Sequence, residues 1–227
     1  MTGTLYIIAT PIGNLKDITL RAIETFKSVD LVLSEDTREA RKLLSHYEID
    51  RNVLSYHQHS SDAKKLEILK MLLDGKNIAL VTDAGTPGIA DPGNELVDFL
   101  LTANTELKVI PIPGPSSVTA ALSVCGFNVS NFTFLGFWPK KKAGKTVKLI
   151  KEMELPIVFF ESPYRILKTL DLLEKELGEK RIFVGQELTK LHERLLRGTI
   201  IEVKAKLEAE KEELGRVKGE IVCVLEF

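Results

Sequence analysis

Short apolar runs alternate with amphipathic stretches along the first half of the chain, and no other feature narrows its folds so far. Residues 5–9, 31–34, 52–56, 78–81 and 108–112 read as strands. Residues 19–28, 39–47, 61–74 and 94–102 read as the helices between them, the first capped by Thr19 and the third closed at Gly75. Strict alternation of this kind builds a mostly parallel sheet with helices on both faces. A small-residue helix over 118–125 leads into Gly126-Phe127-Asn128-Val129-Ser130-Asn131, where the character shifts. Beyond it, 132–137, 157–160, 181–186 and 220–227 read as strands, 194–201 as extended chain and 138–145 as a basic loop. A helix follows Arg165 to about residue 177, and a charged helix covers 204–213. The expectation is an α/β fold of two α/β domains, 1–115 and 116–227, hinged near 113–117.

The loops are more informative than the elements. Val81 to Gly93 holds three Gly, two Pro and two Asp in thirteen residues, a poor helix and a poor strand. Glycine lets backbone come close to a neighbour and proline fixes φ, so this is a shaped loop at the carboxyl end of a strand, where α/β sheets bind ligands. Thr10-Pro11-Ile12-Gly13-Asn14 after strand one and Pro113-Gly114-Pro115-Ser116-Ser117 after strand five have the same character. Loops one, four and five are expected to converge on one crevice. Their exposed backbone groups suit an adenine or an amino-acid zwitterion better than a triphosphate.

Common signatures fail. Gly144-Lys145-Thr146 ends like a P-loop, but the first glycine of that motif would fall on Pro139. No G-x-G-x-x-G follows strand one, and Gly114-Pro115-Ser116-Ser117-Val118 ends in Val where a nucleophile elbow needs Gly. The two cysteines, Cys125 and Cys223, sit in apolar surroundings as core residues. The four histidines form no metal array, and His57 and His59 are expected to alternate on one strand face at the surface. No metal is expected. A net charge of −1 leaves any basic patch local. No run approaches the ~18 apolar residues of a membrane span, and the chain opens on a strand rather than a leader, so a cytoplasmic protein is expected. The turns Glu35-Asp36-Thr37-Arg38, Glu161-Ser162-Pro163-Tyr164-Arg165 and Glu187 to Glu193 set acids beside bases at strand ends, as a structural ion-pair network or as chemistry.

Several of these segments occur together in one family. Thr10-Pro11-Ile12-Gly13-Asn14-Leu15, Asp17-Ile18-Thr19, Glu35-Asp36-Thr37-Arg38, Asp83-Ala84-Gly85-Thr86-Pro87 and Asp91-Pro92-Gly93 lie in order. Pro111-Ile112-Pro113-Gly114-Pro115-Ser116, Phe159-Phe160-Glu161-Ser162-Pro163 and Glu187-Leu188-Thr189-Lys190-Leu191-His192-Glu193 continue the series. Over essentially its whole length the chain resembles the small-subunit (16S) ribosomal RNA cytidine 2′-O-ribose methyltransferases of the tetrapyrrole methylase superfamily. Relatives often mix Arg into the basic loop, which here is all Lys, and often carry His where this chain has Tyr164.

The resemblance implies a class III methyltransferase, a homodimer, and S-adenosylmethionine (SAM) in the cleft between the two domains. By motif, Ala84, Gly85, Thr86 and Ile89 would form the cofactor loop, joined by Pro11 and Ile12, by Ser116 and Ser117, and by Phe160, Glu161 and Leu188. Small-subunit ribosomal RNA would be the partner, its phosphates on Lys140, Lys141, Lys142, Lys145 and Arg165. Lys190 with Glu187 is the expected proton-handling pair, since a desolvated lysine drops toward neutrality. Asp36 and Arg38 would orient the ribose. Trp138 is either a base-stacking residue or a core aromatic. A tetrapyrrole or other small-molecule methyltransferase is the alternative enzyme, with the Glu-Leu-Thr-Lys and Glu-Ser-Pro motifs and the Lys loop against it. A SAM-binding regulatory module is the non-enzymatic alternative, with the acid–base turns against it.

Overall fold

The computed structural model describes residues 2–227 and divides into two compact units, the first ending at Ser116 and the second running Ser117–Phe227. In chain order the first unit contains β1 (Thr4–Ile8), α1 (Leu20–Ser28), β2 (Leu31–Ser34), α2 (Thr37–His46), β3 (Asn52–Ser55), α3 (Asp62–Leu73), β4 (Ile78–Leu80), α4 (Asn94–Ala103) and β5 (Lys108–Ile112). All its strand pairs are parallel, in the order β3-β2-β4-β1-β5. Successive side chains on a strand point to opposite faces, and here both faces are buried. Leu5, Leu31, Leu33, Ile78 and Leu80 pack with Ile68 and Leu72 of α3 and Leu96 and Leu100 of α4. Ile8, Val32, Val53, Ala79 and Ile112 pack with Ala22 and Phe26 of α1 and Leu43 and Leu44 of α2. Double burial explains why these strands are near-continuous apolar runs rather than alternating ones. Among the described residues no helix is long and apolar enough to cross a membrane.

The second unit contains α5 (Ser117–Val124), β6 (Thr133–Phe137), α6 (Ala143–Met153), β7 (Ile157–Glu161), α7 (Ile166–Leu177), β8 (Arg181–Gln186), β9 (Arg194–Thr199), α8 (Ile200–Leu214) and β10 (Ile221–Leu225). Its sheet, β6-β7-β10-β8-β9, is parallel only between β6 and β7. The pairs β7–β10, β10–β8 and β8–β9 are antiparallel. Ile157, Phe159, Ile182, Val184 and Cys223 face a core completed by α6, α7 and α8.

Three local expectations need correction. The third strand ends at Ser55, and His57 and His59 lie in a turn closed by Ser60, whose N–H bonds the His57 carbonyl. The basic stretch is not all loop, because α6 starts at Ala143 and carries Lys145. The helix expected from Lys204 begins at Ile200, where Thr199 and Glu202 form a reciprocal capping box.

Candidate functional site

In the first unit the site follows from strand order. Because β1 lies between β4 and β5, the loops leaving these strands emerge side by side. Thr10 and Gly85 exchange two backbone hydrogen bonds, of 2.9 and 3.1 Å. The Thr10 hydroxyl donates to the Thr82 carbonyl at 3.2 Å, and the Thr86 hydroxyl to the Pro115 carbonyl at 3.2 Å. Loops one, four and five are therefore tied into one rim, as expected. Gly85 holds φ +88° there, a conformation that a side chain resists. Ile12 is buried, with its Cγ2 3.5 Å from where a Gly85 Cβ would stand, so it supports the loop from beneath. Pro11 is buried too, whereas Ala84 and Ile89 are exposed on the loop's outer side and Thr86, Ser116 and Ser117 are half-buried.

At the end of β2, next to β4, Asp36 caps α2 and its N–H donates to Asp83 Oδ1 at 3.1 Å. Arg38 grips both Asp36 oxygens, with Nε–Oδ1 at 3.0 Å and Nη2–Oδ2 at 2.6 Å. The Arg38 fork holds the Asp36 carboxyl well below the usual carboxylate range. Asp36 is thus a fixed anion and a poor proton acceptor, while the Arg38 side chain stays largely in solvent. Asp91, farther along loop four, is shifted the other way: burial raises it despite a hydrogen bond with Thr82, and Glu35 and Asp83 add repulsion.

In the second unit Glu161 ends β7 with its side chain wholly buried. It accepts from the Ser162 N–H at 2.6 Å and the Thr169 hydroxyl at 2.6 Å, and pairs with Arg165 Nη2 at 2.5 Å. Arg165 also donates to the Trp138 carbonyl at 3.3 Å. These contacts engage two residues expected at the site. The Glu161 carboxylate is occupied inside the fold, and the Arg165 guanidinium, 26% exposed, is paired with that buried acid. Trp138 is likewise a core residue, 3% exposed and packed on Phe159. Phe160 is half-buried, edge-on to the rings of Phe134 and Phe137.

The turn after β8 is held from several sides. Glu187 and Thr189 both adopt positive φ, +53° and +65°. The Glu187 N–H donates to the Glu220 carbonyl at 2.9 Å, while Glu187 Oε1 accepts from the Glu220 N–H at 2.8 Å and from Lys190 Nζ at 3.0 Å. Lys190 Nζ also lies 3.1 Å from Glu220 Oε2. Burial alone would lower the Lys190 ammonium, but Glu187 and Glu220 outweigh it and hold it above the ordinary lysine value. The expected drop toward neutrality is reversed, because two carboxylates surround the amine. Burial pushes Glu187 up, and the Glu220 N–H and Lys190 more than offset this, leaving it below the usual value. Leu188 is buried against Gly185. Lys140, Lys141, Lys142 and Lys145 are exposed and make no ion pair among the described residues.

The description of the tetrapyrrole (corrin/porphyrin) methylases matches residues 4–204. The chain belongs to this family. Among the relatives of these tetrapyrrole methylases, ribosomal RNA small subunit methyltransferase I of Thermotoga maritima is 42% identical over 224 residues, 98% of each chain. The protein of the same name from Synechocystis is 47% identical over 201 residues, 87% of this chain and 71% of its own. Solved folds agree: cobalt precorrin-4 methyltransferase aligns with a TM-score of 0.71 at 18% identity, over 98% of this chain and 94% of its own. A diphthine synthase aligns with a TM-score of 0.71 at 13% identity, over 99% and 90%.

Some site-building residues of this tetrapyrrole methylase escape a sequence reading. Gln186 Nε2 donates to both Glu210 oxygens and to the Lys218 carbonyl, and Arg194 bonds Glu210 at 2.7 Å, so the base of the 187–193 turn rests on a buried polar network. Gly219, at φ +81°, passes so close to Glu187 that an added Cβ would lie 2.2 Å from its Cγ. Nothing local in the sequence marks these contacts, since their partners are brought in by β10 and α8.

Proposed function

We propose that this chain is a SAM-dependent methyltransferase acting on the ribose 2′-hydroxyl of a cytidine in small-subunit ribosomal RNA. The observation that carries the reading is the near-full-length similarity to relatives named as small-subunit ribosomal RNA methyltransferases. The lysines support it. Lys140, Lys141 and Lys142 precede α6 and Lys145 lies in its first turn, where the helix dipole already disfavours cations. Unpaired positive charge in that place suits a polyanion. On the same reading the enzyme is a cytoplasmic homodimer.

The first-unit loops fit SAM. Their backbone is pinned by four hydrogen bonds, and they present small or apolar residues, Ala84 and Ile89, outward. Ala84, Gly85, Thr86 and Ile89 would hold it, over Pro11 and Ile12 and beside Ser116 and Ser117. When bound, SAM supplies an electrophilic methyl group.

What the chain adds is position and a proton acceptor. As the ribose oxygen gains the new carbon bond it becomes acidic, so a weak, ionised carboxylate suffices to take its proton. Glu187 is that acceptor: Oε1 is fixed by Lys190 and the Glu220 N–H, leaving Oε2 without a hydrogen bond among the described residues. Lys190, held charged, orients the carboxylate rather than acting as the base. Asp36 and Arg38 are a rigid pair for ribose or phosphate recognition.

The deciding experiment incubates the protein with labelled SAM and small ribosomal subunits from cells lacking the endogenous activity, then digests the RNA to nucleosides. Label is expected in 2′-O-methylcytidine. No label in any nucleoside, with SAM binding intact, overturns the reading.

The charge state of Lys190 gives a separate prediction. Its ammonium is held above its ordinary value, so kcat/KM should carry no Lys190 inflection between about pH 6 and pH 9. An inflection in that window that vanishes in Lys190→Ala would restore the amine as the base.

A further inference from the structure

On the second unit lies a groove of about 580 Å³, lined by Phe137, Trp138, Pro139, Lys140, Ser162, Tyr164 and Arg165. That volume is in the range of small-ligand sites, ~300–1,000 Å³. Two of its aromatic side chains are unusually open, Phe137 at 61% and Tyr164 at 77%. Trp138, next along the chain, turns into the core, and the alternation of side chains along an extended segment puts Phe137 on the other side. The Tyr164 ring is not loose, because Arg216 Nη1 bonds its hydroxyl at 3.4 Å. Beside the rings, the Ser162 hydroxyl accepts from the Tyr164 N–H at 3.3 Å, and its own proton has no acceptor among the described residues. Lys140 lines the groove with Lys141 and Lys142 following, and none of the three makes an ion pair among the described residues.

We infer that this groove takes one unpaired nucleotide of the RNA, its base stacked on the Phe137 and Tyr164 rings and its phosphate on Lys140. Any base offers a π-face to an exposed ring, whereas hydrogen bonding to its edge needs a group such as the Ser162 hydroxyl. The nearby Glu161 carboxylate is buried on Arg165 and does not pair with the lysines, so their charge favours a polyanion over a protein segment. Arg165, tied to Glu161 and the Trp138 carbonyl, serves as the groove's rigid floor. The inference rests on the ribosomal RNA reading and names where on the chain the strand is gripped.

The chain's single tryptophan, Trp138, is buried directly behind the groove it helps line, so its emission responds to the groove's occupancy through the packing around it. The full chain is titrated with a short single-stranded oligocytidylate while Trp138 fluorescence is read, with SAM binding as a check that each variant is folded. Saturable quenching is expected. Affinity should fall about 10- to 100-fold in Tyr164→Ala and in Phe137→Ala, and stay within about twofold in Tyr164→Phe, which keeps the ring. The KM for small subunits should rise in parallel, with kcat less affected. If wild type methylates small subunits and both alanine variants keep its affinity and KM, the groove assignment is wrong and the functional reading stands. If wild type quenches with oligocytidylate but labels no ribosomal RNA, the functional reading fails and the groove remains a single-strand site. If wild type shows neither, both fall.

Discussion

Glu161→Ala is expected to lower the stability of the second unit by about 3 kcal/mol, the lower end of what removing one partner of a buried ion pair costs. The carboxylate is fully buried and takes three donors: the Ser162 N–H, the Thr169 hydroxyl and Arg165 Nη2. Its removal takes the acceptor from all three at once, leaving only Arg165 Nη2 with a second one, the Trp138 carbonyl at 3.3 Å. Leaving a buried donor unmet costs more than the bond itself contributes. The lower end applies because Arg165 is 26% exposed and recovers part of its hydration. Glu161→Gln should cost less, since an amide oxygen still accepts while its NH₂ opposes Arg165. Urea unfolding at neutral pH, followed by Trp138 fluorescence, reads the second unit directly, because the only tryptophan is there. A loss below about 1 kcal/mol for Glu161→Ala would mean that the three donors find other partners.

That prediction marks what a sequence can and cannot disclose. The motif around Glu161 is legible as chemistry-bearing, since acids and bases at a strand end stand out. Whether Glu161 faces a ligand or the core depends on Thr169, one helical stretch later, and on the carbonyl of Trp138. The candidate ligand loops are legible from Gly and Pro content, and the expected convergence of loops one, four and five is realised because β1 separates β4 from β5. The first sheet follows from alternation; the antiparallel pairing of β10 with β7 and β8 does not, being a contact between distant segments. The α6 start is hidden by Gly144 and by the absence of a capping side chain, with Lys142 in the left-handed region instead. The α8 start carries its own signal, the capping-box spacing Thr199-Ile200-Ile201-Glu202, but it lies inside the stretch 194–201, whose composition favours extended chain. The charge on Lys190 turns on Glu220, which arrives from the start of the last strand.

Gly219→Ala should sharply lower turnover while leaving the proposed SAM loops and the ionisable groups in place. The built Cβ would stand 2.2 Å from Glu187 Cγ and 2.6 Å from its Cδ and Oε1, inside any real contact distance. Glu187 must then leave its present position, and with it the two bonds that Oε1 takes from Lys190 and the Glu220 N–H. If Glu187 accepts the ribose proton, kcat should fall by about 10²–10⁴, as when a positioned base is lost, while SAM affinity stays near wild type. The backbone adds its own cost of roughly 1–2 kcal/mol in stability, because φ is +81°. The two effects separate in a double-mutant cycle. In a Glu187→Ala background the Cγ and Cδ are gone, so Gly219→Ala should retain only the backbone cost and should lower kcat no further. Full additivity of the two substitutions in kcat would show that Gly219 acts independently of Glu187. A Gly219→Ala enzyme with wild-type kcat would remove Glu187, in its present geometry, from the chemical step.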